Sequence, residues 1–417
     1  MMEHQRYFPV RNGEGALTST FLFVANRGAD HEQLIREGNE RVLRARLADA
    51  RFFWDEDRKT KLEDRVEALK GVQFLGELGD QSTYFEKAQR LERLASDIAR
   101  EVGADGDAAV AAARLCKCDL VTDMVREFPS LQGIMGGEYA REEGQPEAVW
   151  KAIRDHYRPW SPSDDLPETA TGLVVSLADK LDNLAGCFFA GKKPTGSQDP
   201  FALRRQALAV LRMLEERGLS LSLSDTVAAA LGALDPKAGA AGEILAFFRD
   251  RLYQLCVDRG VRHDIVNAVL AAGFDDIPDF FRRLDGIVEE SESSHWSEVV
   301  FLVQRSANVA KIGSGAPEVN PDLLREPEEK NLWQCLRDKQ QEVLDLVERG
   351  EYPAASGTYC NSFSGPVNEF FDKVFVNVDD AGLKNNRLRL VTEVNTLYSR
   401  NIADLSRIVI SGDGEKS

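Results

Sequence analysis

Two kinds of side chain in this sequence could do chemistry: carboxylates spaced along helices, and short basic runs. Cys118-Asp119 precedes Leu120-Val121-Thr122-Asp123, and Asp179 and Asp182 stand three apart in Leu177-Ala178-Asp179-Lys180-Leu181-Asp182. Positions three apart on a helix project in nearby directions. Carboxylates gathered from separate helices can hold a cation that activates water. The plain alternative is that Asp179 and Asp182 are surface or helix-pairing carboxylates. Cys116-Lys117-Cys118 is the only close cysteine pair. Without a second Cys/His pair at ligand spacing it reads as two small side chains on a helix. His31-Glu32 opens an HExxH pattern, but Ile35 stands where the second histidine belongs. With five histidines in the chain, no metal site is assigned.

The basic residues suggest phosphate rather than metal. Lys192-Lys193-Pro194-Thr195-Gly196 is a short cationic loop, and Arg204, Arg205 and Arg212 follow with no acid between Asp199 and Glu215. Ammonium point charges and forked guanidinium groups hold phosphate oxygens. The rival reading pairs these arginines with Asp179 and Asp182. Toward the C-terminus, Arg305, Asn308, Lys311, Lys384, Asn385, Asn386, Arg387, Arg389 and Asn395 are candidates for reading bases. Unstacked bases are recognised by hydrogen bonds to their edges and by stacking, which Tyr359, Phe363 or Tyr398 could supply. Phe370 and Phe371 read as core. Nucleotide and hydrolase signatures are missing: the sequence has no GxxxxGK[ST], no GxGxxG after a strand and no GxSxG.

The elements that must position these groups are mostly helical. Residues 6–26 read as a β hairpin, with Asn12-Gly13-Glu14-Gly15 suggesting a turn longer than two residues. From His31 the apolar period becomes helical, through Leu34, Ile35, Leu43 and Leu47. Thr83-x-x-Glu86 is a capping box opening a helix with Leu91, Leu94, Ala95 and Ile98 on one face. Further helices are expected over 108–125, 146–157, about 173–181, 201–217, 247–256, 263–272, 332–347 and 383–405. Residues 219–245, rich in Ala, Gly and Ser, read as a boundary zone. Residues 275–298 carry eight acids against two arginines and read as a solvated face. Gly313-Ser314-Gly315-Ala316-Pro317 reads as a linker.

Composition narrows the class. The chain has 417 residues, 43% hydrophobic and 29% charged, which is ordinary for globular proteins and implies about three domains. Its net charge of −17 argues against a coat of basic residues for non-specific nucleic-acid binding, though not against a local basic groove. Six scattered cysteines suggest reduced thiols, and no apolar run reaches membrane-spanning length. A cytoplasmic protein is expected, with neither membrane nor DNA as partner.

The spacing of Cys118, Asp119 and Asp179 resembles the helical HD phosphohydrolases. That resemblance implies that Asp119 matches the paired Asp and Asp179 the distant Asp of a metal-binding set. Cys118 replaces the paired His, however, and no His lies shortly upstream.

Longer motifs point elsewhere. They include His4-Gln5-Arg6-Tyr7-Phe8-Pro9-Val10, Gly38-Asn39-Glu40-Arg41-Val42-Leu43 and Arg46-Leu47-Ala48-Asp49-Ala50-Arg51-Phe52-Phe53. Asp119 through Pro129, Leu131 through Gly136, Ala178 through Asp182, Pro194 through Arg205, Phe370 through Val374 and Asn386-Arg387-Leu388 follow in order. From about residue 3 to 408 the sequence resembles the β subunit of bacterial tetrameric glycyl-tRNA synthetases.

The resemblance implies a mostly α-helical multidomain fold. The expected segments are the end of an N-terminal region with hairpin and helix (1–75), a degenerate HD-like helical domain (76–235), a helical linker domain (236–315) and an anticodon-binding helical bundle (316–417). Cys118, Asp119, Asp179 and Asp182 would be a vestigial HD site. Family β subunits carry a further N-terminal region, so a partial chain is expected. The implied function is to bind and position glycine tRNA, anticodon included, for aminoacylation by a separate α subunit in a heterotetramer. ATP and magnesium would serve the α subunit, with no catalytic residue and no cofactor on this chain. Arg305, Asn308, Lys311, Lys384, Asn386, Arg387, Arg389, Lys192, Lys193, Arg204 and Arg205 are the expected RNA contacts. Rival readings are a metal-dependent phosphohydrolase and a helical scaffold that touches no RNA.

Overall fold

A computed structural model describes residues 7–26, 31–196, 198–313 and 315–409. Part of the family-like His4–Val10 motif and the C-terminal tail lie outside the described residues. Strands β1 (Tyr7–Arg11) and β2 (Leu17–Phe23) form the antiparallel hairpin, with Tyr7 opposite Phe23 and a register shift between Pro9 and Arg11. The Asn12 carboxamide accepts from the Glu14 and Ala16 N–H groups, which closes the longer turn. Among the described residues this is the only sheet.

Helix α1 (Glu32–Asp57) leads into the first helical body and is anchored at its end. There Asp57 accepts from the Asp123 and Met124 N–H groups and from the Tyr139 hydroxyl. It thus caps a short helix, α4 (Asp123–Glu127), 66 residues further on. Helices α2 (Tyr84–Val102) and α3 (Gly106–Leu115) pack together, followed by α4 (Asp123–Glu127), α5 (Ile134–Glu142) and α6 (Glu147–Asp155). The capping box at Thr83 and Glu86 is present, because it satisfies N–H groups that a helix start leaves open.

Helix α7 (Ala170–Phe189) is apolar on nearly every side and is buried almost throughout, as such a helix must be. Helices α2, α3, α6, α8 (Leu203–Arg217), α9 (Leu223–Leu234) and α10 (Ala241–Asp258) all touch it. It therefore carries Asp179 and Asp182 into the centre of this body.

Three sequence expectations change. The span 108–125 is not one helix: α3 stops at Leu115, and Cys118–Val121 forms a tight 3-10 turn that directs Lys117, Cys118 and Asp119 inward. The 219–245 stretch contains α9, whose Val227, Ala230 and Leu231 are buried against α7 and α2. Small residues there let helices approach closely rather than marking a gap. The acidic 275–298 stretch forms α12 (Ile277–Ser291), after α11 (His263–Ala271). Its Ile277, Phe280, Leu284 and Ile287 are core, and Asp276 caps it. The acids alternate with a buried apolar face that their charge hid.

The C-terminal bundle comprises α13 (Trp296–Ala310), α14 (Pro327–Glu348), α15 (Tyr352–Lys373) and α16 (Ala381–Ser399). Helix α13 packs on α15 and α16, so the glycine-rich loop after it runs within the bundle. The Asp404 N–H bonds to the Ala268 carbonyl, joining the chain's end to α11.

Candidate functional site

The carboxylates read as a candidate catalytic set are buried together, and cations already neutralise them. Lys87 on α2 lies 3.0 Å from Asp179 Oδ1 and 2.8 Å from Asp182 Oδ2. Arg90, one turn further, forks onto Asp182 at 2.6 and 3.1 Å. Lys117 reaches Asp179 Oδ1 at 3.0 Å from the 3-10 turn. The two ammonium groups approach Oδ1 off the hydrogen-bond angle, so these are ion pairs rather than aligned hydrogen bonds. All five residues are at most 2% exposed.

His156 completes the set. Its Nδ1 faces the Ile153 carbonyl at 2.7 Å, which can only accept, so Nδ1 carries the proton. Nε2 is left to accept from the Lys117 ammonium at 2.9 Å. Burial and the Lys117 charge hold this imidazole neutral, its pKa well below the ordinary value.

Burial opposes ionisation of both aspartates, but Lys117 and Lys87 beside Asp179, and Lys87 and Arg90 beside Asp182, override it. Both carboxyls are held below the usual carboxylate range. Lys180, next in sequence, turns to the Tyr157 and Arg158 carbonyls at 3.2 and 2.9 Å and to Ser176 Oγ at 2.9 Å. Burial lowers its pKa to about 7, against the pull of Asp179.

Asp119 is placed differently. Its Oδ2 accepts from the Gly133 and Gly136 N–H groups at 2.6 and 3.1 Å, while Oδ1 is buried without a partner. Burial raises its pKa to about 6, against those two N–H donors. A Cβ at Gly136 would sit 3.1 Å from that Oδ2, so glycine permits this approach. Cys116 and Cys118 are buried, and burial pushes the Cys116 thiol up to about 12.

The donors do not fit the metal that an HD-type site implies. The Asp179 oxygen that would ligate it already faces two ammonium groups, and a third positive charge there would be repelled. The Cys118 thiol turns to the Arg114 carbonyl at 3.8 Å. Among the described residues no three His, Cys, Asp or Glu side chains are grouped as a metal site. The rival pairing of Arg204, Arg205 and Arg212 with these aspartates is also replaced, since the counter-ions are Lys87, Arg90 and Lys117. Sequence reading missed those three. Lys87 offered a signal, because it shares the stripe of Leu91, Leu94 and Ile98, where a solvent-facing lysine has no place.

The predicted RNA contacts divide by burial. Lys192 pairs with Glu77 at 2.6 Å and Lys193 with Glu243, all at the surface. Exposed pairs of this kind contribute little and exchange readily for phosphate. Asp199 caps α8 by accepting from the Leu203 and Arg204 N–H groups, and Arg204 donates to the Gly196 carbonyl at 2.7 Å. Arg205 is exposed and has no ion pair or hydrogen bond among the described residues.

In the C-terminal bundle, Asn308 and Lys311 are exposed, and Lys384 and Arg389 half-buried. Arg305 bonds Asn368 at 2.7 Å and Asp372 at 2.9 Å, and its guanidinium lies over Phe371. Asn386 and Arg387 are corrected from surface to core. Asn386 ties to the Asn320 backbone at 2.7 and 3.0 Å, and Arg387 pairs with buried Glu329 and donates to the Phe375 carbonyl. Asn395 is buried against Ser306, and Tyr359, Phe363 and Tyr398 are fully buried, so none is a stacking platform. Phe370 is core, and Phe371 packs against it. Exposed aromatic side chains lie elsewhere, among them Phe301, 52% exposed beside Arg305, Phe375 after α15, and Trp160 and Phe201 on the first body. Trp160 and Phe201 stand in loops and leave no periodic signal, and Phe301 is a single aromatic inside an apolar helix, so none stood out in the sequence as a site residue.

Residues 303–400, covering most of this bundle, match the family described as the DALR anticodon binding domain. Over this bundle the chain is therefore similar to an anticodon-binding domain. Residues 1–271 match the family described as glycyl-tRNA synthetase beta subunit. Curated proteins named glycine–tRNA ligase beta subunit align over 98% of this chain. They include those of Rhodospirillum centenum (41% identical, 58% of its length covered), Desulforudis audaxviator (43%, 59%) and Myxococcus xanthus (42%, 59%). The chain belongs to the glycyl-tRNA synthetase β-subunit family. It spans about three-fifths of the length of these relatives. Among the described residues, no helix is long and apolar enough to cross a membrane.

Proposed function

We propose that this chain is the tRNA-binding part of a cytoplasmic glycine–tRNA ligase, holding glycine tRNA while a separate α subunit carries out aminoacylation. The carrying observation is the C-terminal bundle, whose residues 303–400 match an anticodon-binding family and in which Phe301, Arg305 and Asn308 of α13 and Lys311 at its C-cap follow at helical spacing. Stacking on Phe301 and hydrogen bonds from Arg305 and Asn308 suit unpaired anticodon bases. Lys311, Lys384 and Arg389 supply positive charge for the flanking phosphates.

In this reading ATP and magnesium belong to the α subunit, and the HD-like body is kept for its fold. The paired lysines at Asp179 support that assignment, because they stand where a hydrolase needs its cation. Lys192, Lys193 and Arg204 add a second contact region. With few free cations on a chain of net charge −17, binding weakens only shallowly with salt. A filter-binding titration at low salt, against glycine tRNA and a non-cognate tRNA, tests the proposal. Tighter retention of glycine tRNA is expected, and negligible retention of both overturns it. A footprint on glycine tRNA should show anticodon protection.

A further inference from the structure

A cavity of about 190 Å³ opens on the first helical body, lined by Trp160, Phe201, Arg205, Asn183 and Gln206 and including the lysine-paired Asp179 on its wall. We propose that it takes one unpaired nucleotide of the bound RNA, its base stacked on Trp160 or Phe201 and its phosphate on Arg205. The proposal rests on the tRNA-binding reading above and adds a second base-reading site far along the chain from the anticodon-binding bundle.

Three features of the cavity carry it. First, two aromatic rings are left in solvent at its mouth, Trp160 52% and Phe201 39% exposed. Single-stranded nucleic acid is held on such platforms because every base has a stackable face. Second, Arg205 is a guanidinium with no internal partner among the described residues, on the same rim. Neighbouring Arg212 and Arg259 are instead paired with Glu216 and Glu215. Third, the wall offers edge-reading donors. Asn183 gives one amide N–H to Gln206 at 2.8 Å, and Gln206 gives one to the Phe201 carbonyl at 3.0 Å. Each carboxamide keeps one N–H for an acceptor on a base.

The platform is also braced. Trp160 stacks on Tyr157 at 4.9 Å, and the Lys117 ammonium lies 3.8 Å from the centre of the Tyr157 ring. Asp164 accepts from the Trp160 N–H, and Arg212 holds the Pro162 and Asp164 carbonyls. On the opposite wall, Asp199 caps α8 and Ala202 adopts a left-handed conformation, φ 55°, which sets Phe201 and Arg205 at the rim. The cavity is smaller than the roughly 300–1,000 Å³ pockets that engulf whole ligands. Its size fits a single ring system.

Two measurements on the whole chain test this. Nucleoside monophosphates are titrated against the tryptophan fluorescence of wild type and Trp160→Phe. Glycine tRNA affinity is measured for Trp160→Ala, Phe201→Ala and Arg205→Ala, each checked for an unchanged urea midpoint. We expect quenching in wild type that largely disappears in W160F, and tRNA binding roughly tenfold weaker in W160A. Identical quenching in both proteins, or none in either, overturns the pocket. Wild-type retention of tRNA with full affinity in W160A, F201A and R205A sinks the pocket alone. Failure of wild type to bind tRNA sinks the parent reading, and the mononucleotide titration still decides the pocket.

Discussion

The two helical regions bury polar groups in opposite ways. Around α7, the interior holds Lys87, Arg90, Lys117, Asp179 and Asp182, three cations around two carboxylates, each in an ion pair. In the C-terminal bundle the interior is largely neutral. There Tyr398 meets Ser356, Tyr359 donates to the Val394 carbonyl, and Asn395 bonds Ser306. Arg387 and Glu329 add one ion pair. Neutral hydroxyl and amide pairs cost little to bury. A charge network costs several kcal/mol per ion to desolvate and is held only by complete pairing. The first region is therefore less tolerant of single losses, although its sequence still resembles a catalytic centre.

The largest expected effect comes from Asp182→Ala. It leaves Arg90 without a carboxylate partner in the core and Lys87 with Asp179 alone, and urea unfolding should show a loss at the upper end of about 3–5 kcal/mol. A loss under about 1 kcal/mol would mean that water reaches the cluster and that the contrast is false. Arg387→Ala should cost less, about 3 kcal/mol. Glu329 then keeps the Arg325 and Glu326 N–H groups as partners, both at 2.7 Å.

Third comes the pH dependence of the first region. Asp119 has its pKa raised from 3.8 to about 6, so between those values the folded chain binds more protons than the unfolded one. Stability from this group therefore falls as pH rises from about 4 to about 6. Asp119→Asn should remove that fall, a difference below about 3 kcal/mol read from urea midpoints across the window. Asp179 and Asp182 act with the opposite sign: their contribution is present above about 4 and is lost as pH drops further. An unchanged slope in D119N would place Asp119 in contact with solvent. The smallest effect is Tyr398→Phe, about 1 kcal/mol, because it removes one neutral hydrogen bond and leaves Ser356 without its partner.

Much of the architecture was legible because helices announce themselves by period and caps. The Thr83–Glu86 capping box, the Leu91–Ile98 stripe and the hairpin turn all stand where those local signals put them. The reading failed where composition was taken for exposure. Acids around α12 suggested a solvated face, and alanines around α9 suggested a boundary, yet each helix has a buried side. The site residues were harder still. Asp119, Asp179 and Asp182 were legible as a cluster candidate, but their partners come from other helices, Lys87 lying 95 residues before Asp182. Arg387 and Asn386 looked like surface readers of RNA because nothing local reveals that Glu329 and Asn320 await them.

By itself, then, the sequence determined the helical class, the family and the presence of Cys118, not a histidine, before Asp119. Those properties live in residue identity and short-range spacing. Only the tertiary structure decided that the remaining carboxylates are filled by lysines, that several candidate RNA contacts are core, and that Trp160, Phe201 and Arg205 share one cavity rim. Such facts depend on which distant segments meet and on how much solvent is left between them. Apart from Lys87, which interrupts an apolar stripe, no local pattern encodes either.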